Sequence, residues 1–145
     1  MKKNIWFDMD GTIADLYGVQ GWLDDLTNER VRPYAQAKPL VNMNRLARLL
    51  KKAQRNGYTI NIISWGSKFA SVEYDQAVAQ AKRKWLSVHL ASVQFDKIEV
   101  VAYGTPKRND KRFGILFDDE QPNRQQWGDG AYTEKQIFDI LGGLE

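Results

Sequence analysis

A chain of 145 residues is the length of one domain, and folding buries roughly 68–70% of the surface that such a chain exposes when unfolded. Its 43% apolar and 27% charged residues, with 5 Trp, 6 Tyr and 6 Phe, exclude a disordered, collagen-like or coiled-coil chain. The absence of Cys excludes disulfide scaffolds, thiolate metal sites and thiol nucleophiles, and a single histidine, His89, excludes a multi-histidine metal site. The net charge of +3 conceals an asymmetry: residues 1–117 hold nineteen basic and eleven acidic groups, residues 118–145 two and seven. A basic body suits an anionic ligand.

Met1-Lys2-Lys3 resembles the start of a signal peptide, but Asp8 and Asp10 interrupt the apolar run before it is long enough for export. No stretch approaches the roughly 20 apolar residues of a membrane span, so a cytoplasmic protein is expected. Lys3 to Phe7 reads as a short buried strand that ends in the turn Asp8-Met9-Asp10-Gly11-Thr12. Residues 15–38 read as a small insertion within one domain spanning 1–145. In it Leu16, Tyr17, Trp22, Leu23 and Leu26 suggest a short amphipathic helix before breaks at Pro33 and Pro39.

Asn42 is placed to cap a helix reaching Asn56, with Met43, Leu46, Ala47, Leu50 and Ala53 on one face and Gly57 as the stop. Its other face carries Arg45, Arg48, Lys52 and Arg55, read as a solvated stripe. Tyr58 to Ile63 reads as a second strand, ended by Ser64-Trp65-Gly66-Ser67. A long helix follows over about 72–90, with Ala77, Val78, Ala81, Trp85 and Val88 on the apolar side and Lys82, Arg83 and Lys84 partly on the other. His89, at its end, has no assigned role. Ile98 to Tyr103 is a third strand, Gly104 to Arg112 a basic loop, and Gly114 to Phe117 a fourth strand that stops at Asp118-Asp119. Thr133 and Gln136 form a capping box for a last helix bearing Ile137, Ile140 and Leu141.

Continuously apolar strands alternating with helices argue for an α/β, Rossmann-like protein with a mostly parallel sheet flanked by helices on both faces. Ligands of such sheets sit beyond the carboxyl ends of the strands, where the strand order reverses. Asp8 and Asp10, Ser64, and Asp118 and Asp119 all fall at such ends. Four carboxylates brought together repel one another unless a cation neutralises them, and an all-oxygen donor set matches a hard ion, Mg²⁺ in preference to Ca²⁺. Phosphoryl transfer needs positioning, charge neutralisation and an in-line nucleophile, and Asp is a known nucleophile for an aspartyl-phosphate. Ser64 can bind phosphate oxygens, and Lys107 can balance developing charge. Lys111 competes for that lysine's place; Lys107 is preferred because it follows the Gly104-Thr105-Pro106 turn.

Taken in order, Asp8-Met9-Asp10-Gly11-Thr12, Ser64, Lys107 and Phe117-Asp118-Asp119 resemble the four motifs of the haloacid-dehalogenase-like (HAD) phosphohydrolases. Lys38-Pro39, Gly57-Tyr58 and Ala81-Lys82-Arg83-Lys84-Trp85-Leu86 resemble the 5′(3′)-deoxyribonucleotidase branch, although the insertion is shorter than that branch's helical cap. The resemblance implies Asp8 as the nucleophile and a metal ligand. It implies Asp10 as the acid and base, with its backbone carbonyl on the metal. Ser64 and Lys107 would hold the phosphoryl group, and Asp118 or Asp119 or both would hold Mg²⁺. The implied activity is a phosphomonoesterase acting through a phospho-aspartate on a small phosphorylated substrate such as a (deoxy)nucleoside monophosphate. Gly11, Thr12, Trp65, Tyr17 and Trp22 are the candidate substrate contacts, with the last three able to stack on a base. The alternative is a nucleic-acid-end phosphatase or nucleic-acid-binding protein, in which the basic loop and the arginine stripe track a phosphate backbone.

Overall fold

The computed structural model describes residues 3–145. Five strands, β1 (Lys3–Phe7), β4 (Tyr58–Trp65), β5 (Lys97–Val101), β6 (Ile115–Phe117) and β7 (Ala131–Tyr132), form one parallel sheet in the order β5-β4-β1-β6-β7. The chain builds outward from β1 through β4 to β5, then returns to the other side of β1 for β6 and β7. The order therefore reverses at β1, and the crevice at its carboxyl end is where Asp8 leaves the sheet.

One face is closed by α3 (Met43–Arg55), α4 (Val72–His89) and α6 (Ile137–Gly142). Asn42 caps α3 by accepting from the Arg45 N–H at 2.9 Å, and Ser71 caps α4 by accepting from Tyr74 at 3.1 Å. Leu46, Leu50 and Ala53 of α3, Trp85 and Leu86 of α4, and Ile137 and Leu141 of α6 pack onto Ile5, Phe7, Ile60, Ile62 and Phe117 of the strands. The Thr133–Gln136 capping box is present and opens a short 3-10 turn that leads into α6. On the opposite face the apolar cluster is small: Trp6, Ile63 and Leu116 beneath Trp127 of α5 (Gln121–Trp127). Both α5 and β7 escape the sequence reading, which passes from the fourth strand directly to the last helix. Gln121-Pro122-Asn123-Arg124-Gln125-Gln126 has no apolar repeat, and its one anchor is Trp127.

Residues 14–39 leave and rejoin the body through an antiparallel pair, β2 (Ala14–Asp15) with β3 (Lys38–Pro39). Between them stand two short helices, α1 (Trp22–Thr27) and α2 (Arg32–Gln36), where the sequence reading expects one. Pro33 lies in the first turn of α2, where its missing N–H removes no hydrogen bond, so it starts a helix instead of breaking one. The insertion rests on the first half of α4: Leu16 and Tyr34 pack with Tyr74 and Val78, and the Tyr74 hydroxyl donates to the Arg30 carbonyl at 2.7 Å. Ser71, the cap of α4, also donates to Glu29 at 2.7 Å. Among the described residues no helix is long and apolar enough to cross a membrane.

Candidate active site

The carboxyl ends of β1 and β6 lie side by side, with the Asp8 N–H donating to the Phe117 carbonyl at 2.9 Å. This register brings residues 110 positions apart in sequence together: oxygens of Asp8, Asp118 and Asp119 lie within 4.8 Å of one another. The Thr12 hydroxyl is 3.1 Å from both Asp8 Oδ2 and Asp119 Oδ1 and accepts from the Asp119 N–H at 3.2 Å. Gly11 holds φ at +82°, and a side chain there would collide with the Asp119 carboxylate. Gly11 and Thr12 thus lie behind the carboxylates and do not line the cleft, because the tight turn after β1 folds them toward β6.

Lys107 is buried, and its ammonium donates to Asp8 Oδ1 at 2.9 Å and Asp118 Oδ2 at 2.7 Å. No helix or strand carries it. The loop from Ala102 to Phe113 is stapled by Arg112, whose guanidinium donates to the carbonyls of Lys107 and Pro106 and pairs with Glu99. Arg108 likewise donates to the Trp127 carbonyl at 2.7 Å. Arg112 is therefore buried scaffolding and Arg108 ties the loop to Trp127, while Arg108 and Lys111 remain exposed. Lys111 is exposed and pairs with neither carboxylate, and none of the α3 residues lines the cleft.

A second lysine at the site is one that sequence reasoning assigns partly to the polar side of its helix. Lys82 of α4 is 1% exposed and makes three bonds: to Asp10 Oδ2 at 2.9 Å, Ser64 Oγ at 2.7 Å and the Trp65 carbonyl at 2.7 Å. The Tyr34 ring of α2 covers it at 5.1 Å. The signal was its spacing, since Tyr74, Val78, Lys82 and Leu86 follow one another at i+4 along the buried stripe. Ser64 is itself fully enclosed, so its hydroxyl meets Lys82 and not the cleft.

The cleft, about 90 Å³, is lined by Asp8, Asp10 and Lys107 at its base, with Trp65, Gly66, Ser67, Lys68 and Tyr103 on one side and Leu16, Tyr17 and Tyr34 on the other. Trp22 does not line it; as the first residue of α1 it supports Tyr17 edge-on, with ring centres 5.0 Å apart. The space suits a phosphate group and leaves whatever is attached to it at an open mouth.

Burial, followed by the neighbouring Asp8 charge, pushes the Asp119 carboxyl up to about 8 and, against the pull of Lys107, that of Asp118 up to about 6. Burial likewise raises Asp10 above its ordinary range, opposed by Lys82. Burial would lower Lys107, but Asp8 and Asp118 outweigh it and hold the ammonium charged. One lysine does not neutralise three converging carboxylates, and this all-oxygen set fits a hard divalent cation. Asp118 already accepts from Lys107, Asn123 and the Glu120 N–H, so Asp8 and Asp119 offer the freer oxygens. Between pH 4 and 8 the metal-free folded state binds more protons at Asp118 and Asp119 than the unfolded chain, so its stability declines as pH rises through that window. Melting in EDTA should show this decline, and millimolar Mg²⁺ should raise the melting temperature most at pH 8. A flat profile with no Mg²⁺ response would contradict the cation site.

The fold and the strand-end carboxylates together define an α/β, Rossmann-like protein with an acidic crevice at the point of strand reversal. No family model matches the chain, and no curated protein matches it. Among solved structures, D,D-heptose 1,7-bisphosphate phosphatase from Burkholderia thailandensis shares the fold, with a TM-score of 0.55 over 97% of this chain and 99% of that one, at 14% identity.

Proposed function

We propose that this chain is a Mg²⁺-dependent phosphomonoesterase of the HAD type that works through a phospho-aspartate. The observation that carries the reading is the convergence of Asp8, Asp118 and Asp119 within 4.8 Å, with Lys107 on Asp8 and Asp10 facing the same cleft. The shared fold with a phosphatase supports it. Asp8 and Asp119, with Asp118 behind them and the Asp10 backbone carbonyl, would hold Mg²⁺, which supplies charge neutralisation for the phosphate oxygens.

A carboxylate oxygen of Asp8 attacks phosphorus, the ester P–O bond breaks, and the leaving oxygen takes the Asp10 proton. Asp10, now a base, removes a proton from water; the water oxygen attacks the phospho-aspartate, releasing inorganic phosphate and restoring both groups. The raised Asp10 carboxyl suits the first half of this cycle. Lys107 balances charge on the nucleophile and the transferring group. Ser67, which faces the cleft, is placed to reach phosphate oxygens, whereas Ser64 acts through Lys82.

The aromatic walls, Tyr17, Tyr34, Trp65 and Tyr103, favour a (deoxy)nucleoside monophosphate group over a sugar phosphate. A panel of nucleoside monophosphates, sugar phosphates and p-nitrophenyl phosphate, assayed for phosphate release with Mg²⁺ and with EDTA, tests both levels. Metal-dependent release, fastest from nucleotides, is expected. Release from none of the esters refutes the phosphomonoesterase, and preference for sugar phosphates refutes the nucleotide.

A further inference from the structure

On the β4 and β5 side of the cleft, aromatic rings and lysines follow one another outward from the nucleophile. The Lys107 ammonium, bonded to Asp8, lies 5.2 Å from the Trp65 ring centre. Trp65 packs against Tyr103 with centroids 4.9 Å apart, and its indole N–H is fixed by the Thr105 carbonyl at 2.8 Å. Lys68 then sits between two rings, 5.8 Å from the Tyr103 centre and 5.2 Å from that of Phe69. Tyr103 is 50% exposed and Phe69 is 93% exposed. Phe69 also holds φ at +58°, a left-handed conformation that is costly for a bulky side chain. An exposed Phe on strained backbone at the rim of a polar cleft adds nothing to the core, and strain of this kind collects where a ligand is met.

We infer that this rim binds the phosphorylated end of a single-stranded nucleic acid: the terminal phosphate at Asp8, the first base against Tyr103, and the next base on Phe69, with Lys68 on the phosphate between them. The inference rests on the phosphomonoesterase reading and names the kind of molecule that carries the ester. Ring, cation, ring matches base, phosphate, base, and each stacked base contributes without regard to sequence. A mononucleotide has one base and leaves the Phe69 station unused. The small, open cleft takes the phosphate and encloses nothing beyond it, so a strand can run out over the rim. Hydrolysis there releases inorganic phosphate and leaves a hydroxyl on the strand.

Octathymidylate with a 5′-phosphate, the same strand with a 3′-phosphate, thymidine monophosphate and p-nitrophenyl phosphate serve as substrates at two salt concentrations. At low salt, kcat/KM for one phosphorylated octamer should exceed that for thymidine monophosphate by about tenfold or more and fall with added salt. Phe69→Ala should raise KM for the octamer by about fivefold or more relative to that for p-nitrophenyl phosphate, and Phe69→Trp should restore it. Anisotropy of a labelled phosphorylated octamer on the protein in Mg²⁺-free buffer gives the same comparison without turnover. Equal kcat/KM for octamer and mononucleotide, or an octamer affinity that Phe69→Ala leaves unaltered, overturns the inference while the phosphatase stands. A protein that hydrolyses none of the esters overturns the phosphatase, and the anisotropy then decides on strand binding alone.

Discussion

Asp8→Asn should abolish hydrolysis of p-nitrophenyl phosphate and of nucleotides, with kcat falling by about 10⁴-fold or more, since an amide cannot attack phosphorus and no second carboxylate stands in its place. Asp118 is held by Lys107, Asn123 and the Glu120 N–H, and neither Asp118 nor Asp119 lines the cleft as Asp8 does, so neither replaces it. The fold should survive. Asp8 is one of the charges that raises Asp118 and Asp119, so its removal relieves repulsion and offsets the bond lost from Lys107. Melting of the metal-free variant should therefore match or exceed that of the parent, while the Mg²⁺-induced rise shrinks. Full activity in Asp8→Asn would remove the nucleophile from the mechanism, and an unfolded variant would remove the repulsion argument.

Lys82→Met should lower both kcat and stability. The ammonium is enclosed, and its three partners, Asp10, Ser64 and the Trp65 carbonyl, lose their donor together. Breaking a buried ion pair from one side costs about 3–5 kcal/mol, because the remaining charge stays in a poor solvent. Urea unfolding reads that loss. For activity, a misplaced Asp10 should reduce kcat by about 10²- to 10³-fold, and the pH–rate profile should shift because Asp10 loses the cation bonded to it. Arg83→Met, one residue along α4 with its guanidinium on the Ile98 carbonyl, is the control for a change in the helix alone. Equal losses in both variants would reduce Lys82 to a packing residue.

The acidic turns were legible because their signal is local: an apolar run followed at once by carboxylates and glycine places the side chains at a strand's carboxyl end without knowledge of the sheet. The α3 boundaries were legible for the same reason, as Asn42 and Gly57 mark them chemically. Lys82 was obscured because charge outweighs position in a sequence reading, and only the partners waiting at the strand ends explain a lysine in a buried stripe. β7 has two residues and exists only because the edge of β6 is there to receive it. The enclosure of Ser64 depends on the lysine that α4 brings to it, and the support of Tyr17 by Trp22 on how the insertion folds, and no local pattern encodes either.

Rigidity in this crevice does not require regular structure. The stretch of chain that carries Lys107 is clamped from behind by the Arg112 guanidinium on two of its own carbonyl oxygens, so its ammonium is already aimed before any ligand arrives and the proposed reaction would need little reorganisation. Arg112 touches no carboxylate of the crevice, yet it sets the aim of the group that does. Substitution there would act at a distance, as a loss of alignment and not of charge.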